Sequence, residues 1–208
     1  MTLPVNENSP STTLPRRSEA RRREILEVAA LLFAERGFEK TSIKALAAEA
    51  QVSTSTIYTY FADKSDLLEQ VVRSRLDALL GGLLADVDAV DDPLDALLIG
   101  ARHLHARLSA DPMLGRILTF EPHVVGRGVR QYARGVVERI NEVSTELIRR
   151  AVARGEFECA DPEALNALMR CAMQGWMLNS QRGHEPVPEP RMTEALLDLI
   201  RRAARPRS

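Results

Sequence analysis

The sequence is short of cysteine. Its two, Cys159 and Cys171, are too few for a disulfide framework and lack the clustered spacing of a metal site, so both are read as reduced and structural. It also lacks any uninterrupted apolar run of about 18 residues, and no membrane crossing is expected. The first residues, MTLPVNENSPSTTLP, hold three prolines and no apolar stretch. They are expected to form a disordered tail over residues 1–17, neither signal peptide nor anchor, in a cytoplasmic protein. Net charge is nearly absent, −1 at pH 7, so bulk charge selects no partner. Strand alternation and fixed-period repeats are both missing. Catalytic signatures are missing too: there is no G-x-S-x-G elbow and no phosphate loop beside the four histidines His103, His105, His123 and His184. His103 and His105 are two apart, which on a helix points them about 200° apart and prevents shared ligation. No catalysis, cofactor or metal is expected.

What is present is an ordinary globular composition, 45% apolar and 27% charged, with apolar residues recurring at helical intervals. The chain is therefore read as all-α, with about nine helices. In residues 18–36, Ile25, Ala29, Leu32 and Phe33 form one buried stripe, and Gly37 stops the helix by taking a left-handed conformation. A long helix begins after the cap Asp63, with Asp66 as a weaker capping-box partner. Its Leu67 to Leu83 repeat lasts about five turns before Gly81-Gly82 weakens its far end. Further helices are expected at 94–108, at 112–120 behind the cap Asp111, at about 129–154 up to Gly155, at 163–181 behind Asp161-Pro162, and at 191–204.

The stretch 41–64, TSIKALAAEAQVSTSTIYTYFADK, reads as two short helices meeting at a tight turn. Thr41 or Ser42 caps the first, at 43–50. Ser53 caps the second, at 54–60, and Val52 plugs the corner. Ile57 and Phe61, four apart, face the preceding helix. The outward surface carries hydroxyls on Thr54, Ser55, Thr56, Tyr58, Thr59 and Tyr60, with Lys64 just beyond. Such a surface suits a DNA major groove, where hydroxyls meet phosphates and base edges. A solvent-facing Ser/Thr-rich turn is the bland alternative. Thr56, Tyr58 and Tyr60 are assigned to base or phosphate contact, Thr41, Ser55 and Lys64 to phosphate, and Ser42, Thr54 and Thr59 to the candidate interface beside them. Arg16, Arg17, Arg21, Arg22 and Arg23 form a basic cluster that could follow the backbone.

These residues carry a family resemblance. From Ile25 to about Val72 the chain resembles the DNA-binding domain of the tetracycline-repressor (TetR) family. The shared features are Phe33-Ala34-Glu35-Arg36-Gly37-Phe38, Thr41-Ser42-Ile43, Ala47 to Ala50, Val52-Ser53, Thr56-Ile57-Tyr58-Thr59-Tyr60-Phe61 and Asp63 to Leu68. Tyr60 departs from a position where members often carry histidine. The domains expected on this reading are a helix-turn-helix DNA-binding domain at 18–62 and a helical effector-binding and dimerisation domain at 63–208.

A helix-turn-helix protein that reads a near-palindromic operator binds it as a homodimer. Leu165, Leu168, Met169, Ala172, Leu196, Leu197 and Ile200 on the last two helices are the candidate dimer surface, and the resemblance implies pairing through those helices. It also implies a pocket for an unknown small-molecule effector. Met113, Phe120, His123, Tyr132, Met173, Trp176 and Met177 are candidates to line it, since soft and aromatic side chains adapt to apolar ligands, although most such residues are plain core. The expected function is a transcriptional repressor released from DNA by a ligand. The alternative is a ligand-independent architectural DNA-binding protein.

Overall fold

The structure, a computed structural model, describes residues 13–111, 114, 127–156, 158–181 and 189–203. Among them all regular secondary structure is helical: α1 (Thr13–Arg36), α2 (Ile43–Glu49), α3 (Thr54–Tyr60), α4 (Lys64–Asp88), α5 (Pro93–Ala110), α6 (Arg127–Ala153), α7 (Pro162–Gln181) and α8 (Glu189–Ala203). The short helix expected at 112–120 lies, apart from the buried Leu114, outside the described residues. Two compact units divide within α4, after Val71, rather than at residue 62.

In the first unit α1 packs on α2 and α2 on α3. The helix α1 starts five residues earlier than its apolar stripe suggests, so residues 13–17 are not tail. Pro15 falls in its first turn, where a missing N–H has no helical partner to lose. Ile25, Leu26, Ala29, Leu46, Ile57, Phe61 and Leu67 are all at most 4% exposed. Each large side chain among them stabilises the unit by about 1.5–3 kcal/mol relative to exposure. Gly37 ends α1 at φ +81, and its N–H donates to the Phe33 carbonyl. The α2–α3 turn needs the same region at Gln51, φ +53, which costs a residue bearing a Cβ some strain. The Val52 N–H donating to the Ala47 carbonyl helps hold it there. At the α4 cap Asp66 N–H donates to Asp63 Oδ1 at 2.8 Å, while Asp66 Oδ2 accepts from the N–H of Ala62, one residue before the cap, at 2.8 Å, a variant of the capping box. Arg22 of α1 hydrogen-bonds Gln70 and lies over the Phe61 ring, 5.8 Å from its centre, which joins the first turns of α4 to this unit.

The second unit packs α5 on α6, α6 on α7 and α5 on α8. Leu83, Val87, Ala96, Leu97, Leu98, Leu147, Ile148 and Ala151 make its core. Gly81-Gly82 does not end α4, which runs on to Asp88. Gly82 permits a close approach: a Cβ there would lie 2.7 Å from His103 Cε1, and the same ring is held by Asp86 at 2.6 Å from Nδ1. Asp92 caps α5 with Pro93 behind it, Asp161 caps α7, and Gly155 closes α6 at φ +72.

Candidate nucleic-acid interface

The two caps that build the helix-turn-helix are both serine hydroxyls. Ser42 Oγ accepts from Ala45 N–H at 3.1 Å and Ser53 Oγ from Thr56 N–H at 3.0 Å; such caps contribute about 1 kcal/mol each. Ile57 and Phe61, at 0% and 1% exposure, anchor α3 to the unit. With that edge buried, Thr54, Ser55, Tyr58 and Thr59 are exposed and Thr56 and Tyr60 half-buried. Tyr58, at 55% exposure, leaves a large ring and a hydroxyl to solvent.

The hydroxyls are not equally available. Ser53 Oγ lies 2.7 Å from Ser55 Oγ and 2.8 Å from Thr56 Oγ1, so these three form a local network at the helix start. Thr59 Oγ1 donates back to the Ser55 carbonyl at 3.0 Å, leaving its methyl and lone pairs for a partner. Tyr60 Oη accepts from Ser18 Oγ at 3.3 Å, which braces the ring against α1. Lys64 Nζ donates to the Phe38 carbonyl at 3.0 Å and sits 4.2 Å from the centre of the Phe38 ring. An ammonium has three donors, so Lys64 can hold this corner and still offer an N–H outward.

Thr41 leaves the candidate list. It is 1% exposed, and its hydroxyl lies 2.8 Å from the Gly37 carbonyl and 3.3 Å from that of Leu32. It ties the end of α1 to the start of α2 and presents nothing to a phosphate. The arginine cluster also splits. Arg17 and Arg23 are exposed, Arg21 pairs with Glu24 at 2.7 Å, and Arg22 is spent on Gln70 and Phe61; the Arg16 side chain is outside the described residues. The exposed Lys40 and Lys44 flank Ser42 and were missed, although charge beside a helix cap was a readable signal.

In the second unit an apolar cavity of about 130 Å³ opens between α4, α5, α6, α7 and α8. Of the residues expected to line a pocket, Met173 does so. Trp176 lines a neighbouring cavity of about 230 Å³, where its ring packs 4.7 Å from that of the buried His105; Met173 and Leu196 are walls of both cavities. Tyr132 lines neither. It hydrogen-bonds Asp77, with Arg73 over its ring at 4.4 Å, and the Asp77 bond followed by burial raises its pKa above 10.0. Met113, Phe120 and His123 lie outside the described residues, as does the side chain of Met177. The walls that periodicity did not single out, such as Asn166 and Arg170, stand one helical turn apart on the same face of α7 as Met173.

The expected dimer residues divide as well. Leu165, Met169 and Leu196 pack against the core of their own unit. Leu168, at 68% exposure, and Ala172 face solvent with Cys171, and Leu199 is 65% exposed. The side chains of Leu197 and Ile200 are outside the described residues.

Comparison with known proteins bears on both units. Residues 25–71 match the family described as bacterial regulatory proteins, tetR family. The HTH-type transcriptional repressor KstR2 of Mycolicibacterium smegmatis is 34% identical over 83 residues, covering 40% of this chain and 40% of the repressor. Against such curated relatives the chain spans only 37–40% of their length. Two crystal structures are similar in fold. A transcriptional regulator of the TetR/AcrR family from Thermobifida fusca aligns with TM-score 0.71 at 23% identity, covering 90% of this chain and all of that one (100%). The regulator FadR of Bacillus subtilis, solved in complex with stearoyl-CoA, aligns with TM-score 0.68 at 16% identity, covering 86% and 96%.

Proposed function

Starting from a chain that belongs to the TetR family of bacterial regulators, we propose that it is a sequence-specific DNA-binding transcriptional repressor. In this reading two copies occupy a near-palindromic operator and leave it when a small molecule fills the second unit. The observation that carries the proposal is the exposed, hydroxyl-bearing face of α3, ending in Tyr58, on a helix whose other edge is buried through Ile57. A helix anchored on one edge enters a groove without first paying to order itself.

Thr56, Tyr58 and Tyr60 are assigned to base or phosphate contact and Ser55 and Lys64 to phosphate, with Ser42, Thr54 and Thr59 beside them. Arg17 and Arg21 act as accessory phosphate contacts, joined by Lys40 and Lys44. Dimerisation is assigned to the apolar surface at Leu168, Ala172 and Leu199, which a monomer would leave in water. The repressor role draws on the name of the relative KstR2. Ligand control draws on the cavity and on the ligand-bound state of a fold neighbour. For a ligand to release DNA it must bind the non-DNA state more tightly, and release cannot exceed that difference in affinity. The cavity favours this over a ligand-blind architectural role, which needs none. Selection of binding sites from random duplex DNA at stated salt tests the proposal. Two inverted half-sites about one helical turn apart are expected, and recovery of unrelated sequences would refute it.

A further inference from the structure

The cavity of about 130 Å³ is asymmetric in chemistry. The side facing α4 and α5 is apolar throughout, built by residues such as Leu83, Val87, Leu97 and Leu104. The polar groups sit on the opposite side, on α6 and α7: Asn141, Ser144, Asn166, Arg170 and Gln174. Asn166 is 9% exposed, and its amide nitrogen donates to the Asn141 carbonyl at 3.2 Å and to Thr145 Oγ1 at 3.1 Å. Both of its N–H groups are thereby used, and the polar wall is held in one orientation. One turn along α7, Arg170 is exposed at the mouth and pairs with no carboxylate among the described residues. No Asp or Glu lines this cavity or the one walled by Trp176, and Arg170 is the one Lys or Arg among their described walls; Glu138, Glu142, Glu146 and Glu163 line a third cavity, which shares Asn141 and Leu147 with this one but not Arg170.

We infer that the effector is a medium-chain aliphatic carboxylate, its hydrocarbon laid against α4 and α5 and its anionic end on Arg170. This rests on the reading of the second unit as effector-binding. The sign follows from the walls: a guanidinium with no competing acid favours an anion, offers it paired N–H donors and repels an ammonium. The tail follows from aliphatic and methionine walls without an aromatic ring in this cavity. The length is bounded by the volume, since an apolar cavity of about 150 Å³ takes a six-carbon ring, so one of about 130 Å³ encloses a tail of about six carbons and leaves the head at the mouth. Octanoate has a tail of about that length.

The test uses the full-length protein and titration calorimetry with octanoate, set against octanol and octyltrimethylammonium. Octanoate is expected to bind saturably and at least about tenfold more tightly than either control. The variant R170Q should lose about tenfold to a hundredfold of octanoate affinity with octanol binding unchanged, the range of a charge-assisted contact. R170K should recover part of it. Melting temperature of each variant reports folding, and if R170Q does not fold, R170K and the three-ligand comparison in the wild type decide. Equal binding of the alcohol or the ammonium, no binding of octanoate, or an unaltered R170Q overturns the assignment. Operator binding is scored separately. Octanoate held without operator release supports the ligand class and overturns ligand-released repression, whereas a selected palindrome with no octanoate bound overturns the ligand class alone.

Discussion

Replacing Thr41 by valine separates a structural threonine from a phosphate contact. Valine keeps the branched shape, so the burial at 1% exposure is preserved, but the hydroxyl bridging α1 to α2 is gone. One hydrogen bond contributes about 0.5–1.5 kcal/mol net, and a carbonyl left buried without its donor raises the loss to about 1–3 kcal/mol. Since the acceptors belong to Leu32 and Gly37, the loss should fall on the first unit. T41V is therefore expected to lower the free energy of unfolding by about 1–3 kcal/mol in urea denaturation followed by far-UV circular dichroism. Amide hydrogen exchange should accelerate in α1 and α2 while the second unit is unchanged. T41S, which keeps the hydroxyl and drops a methyl, should cost only about 0.8 kcal/mol. DNA affinity of folded T41V should match the wild type. Wild-type stability combined with a tenfold loss of DNA affinity would refute the reasoning and restore Thr41 to the interface.

Three further outcomes are expected. K64A should weaken binding to all DNA sequences and flatten the dependence of log affinity on log salt by roughly one unit; an unchanged slope leaves Lys64 only its contact with Phe38. Y60A should cost on the order of 1–3 kcal/mol on the selected operator, measured by fluorescence anisotropy, and wild-type affinity would remove Tyr60 from the interface. For Tyr132 the folded-state pKa is raised, chiefly by its bond to Asp77, so folding favours the protonated phenol. That stabilisation is complete below the ordinary value of 10.0 and is lost as pH rises through the raised one. The stability advantage of wild type over Y132F in urea should therefore shrink above that pH, and a constant difference would contradict the raised value.

Local signals carried much of the fold. The helix-turn-helix was legible because its determinants lie within a few residues of each other: Ser53 as cap, Ile57 and Phe61 on one edge, Gly37 as a left-handed stop. Asp63 with Asp66, Asp161 before Pro162 and Gly155 marked helix ends for the same reason. The start of α1 was misplaced because Pro15 reads as a breaker unless it falls in a first turn, and the first turn had no apolar stripe to announce it.

The sequence by itself determined the helices, their caps and the hydroxyl surface of α3, since periodicity and capping act through neighbours three or four residues apart. Which polar side chains hold partners inside the protein was decided only by the tertiary structure: Thr41 on α1, Arg22 on Gln70, Lys64 on Phe38 and Tyr132 on Asp77. A helical face on α7 likewise shows apolar residues without showing which of them, Leu165 or Leu168, meets the core. These choices depend on partners from 4 to 55 residues away, and chain separation carries no trace of how helices rotate about their axes when they pack.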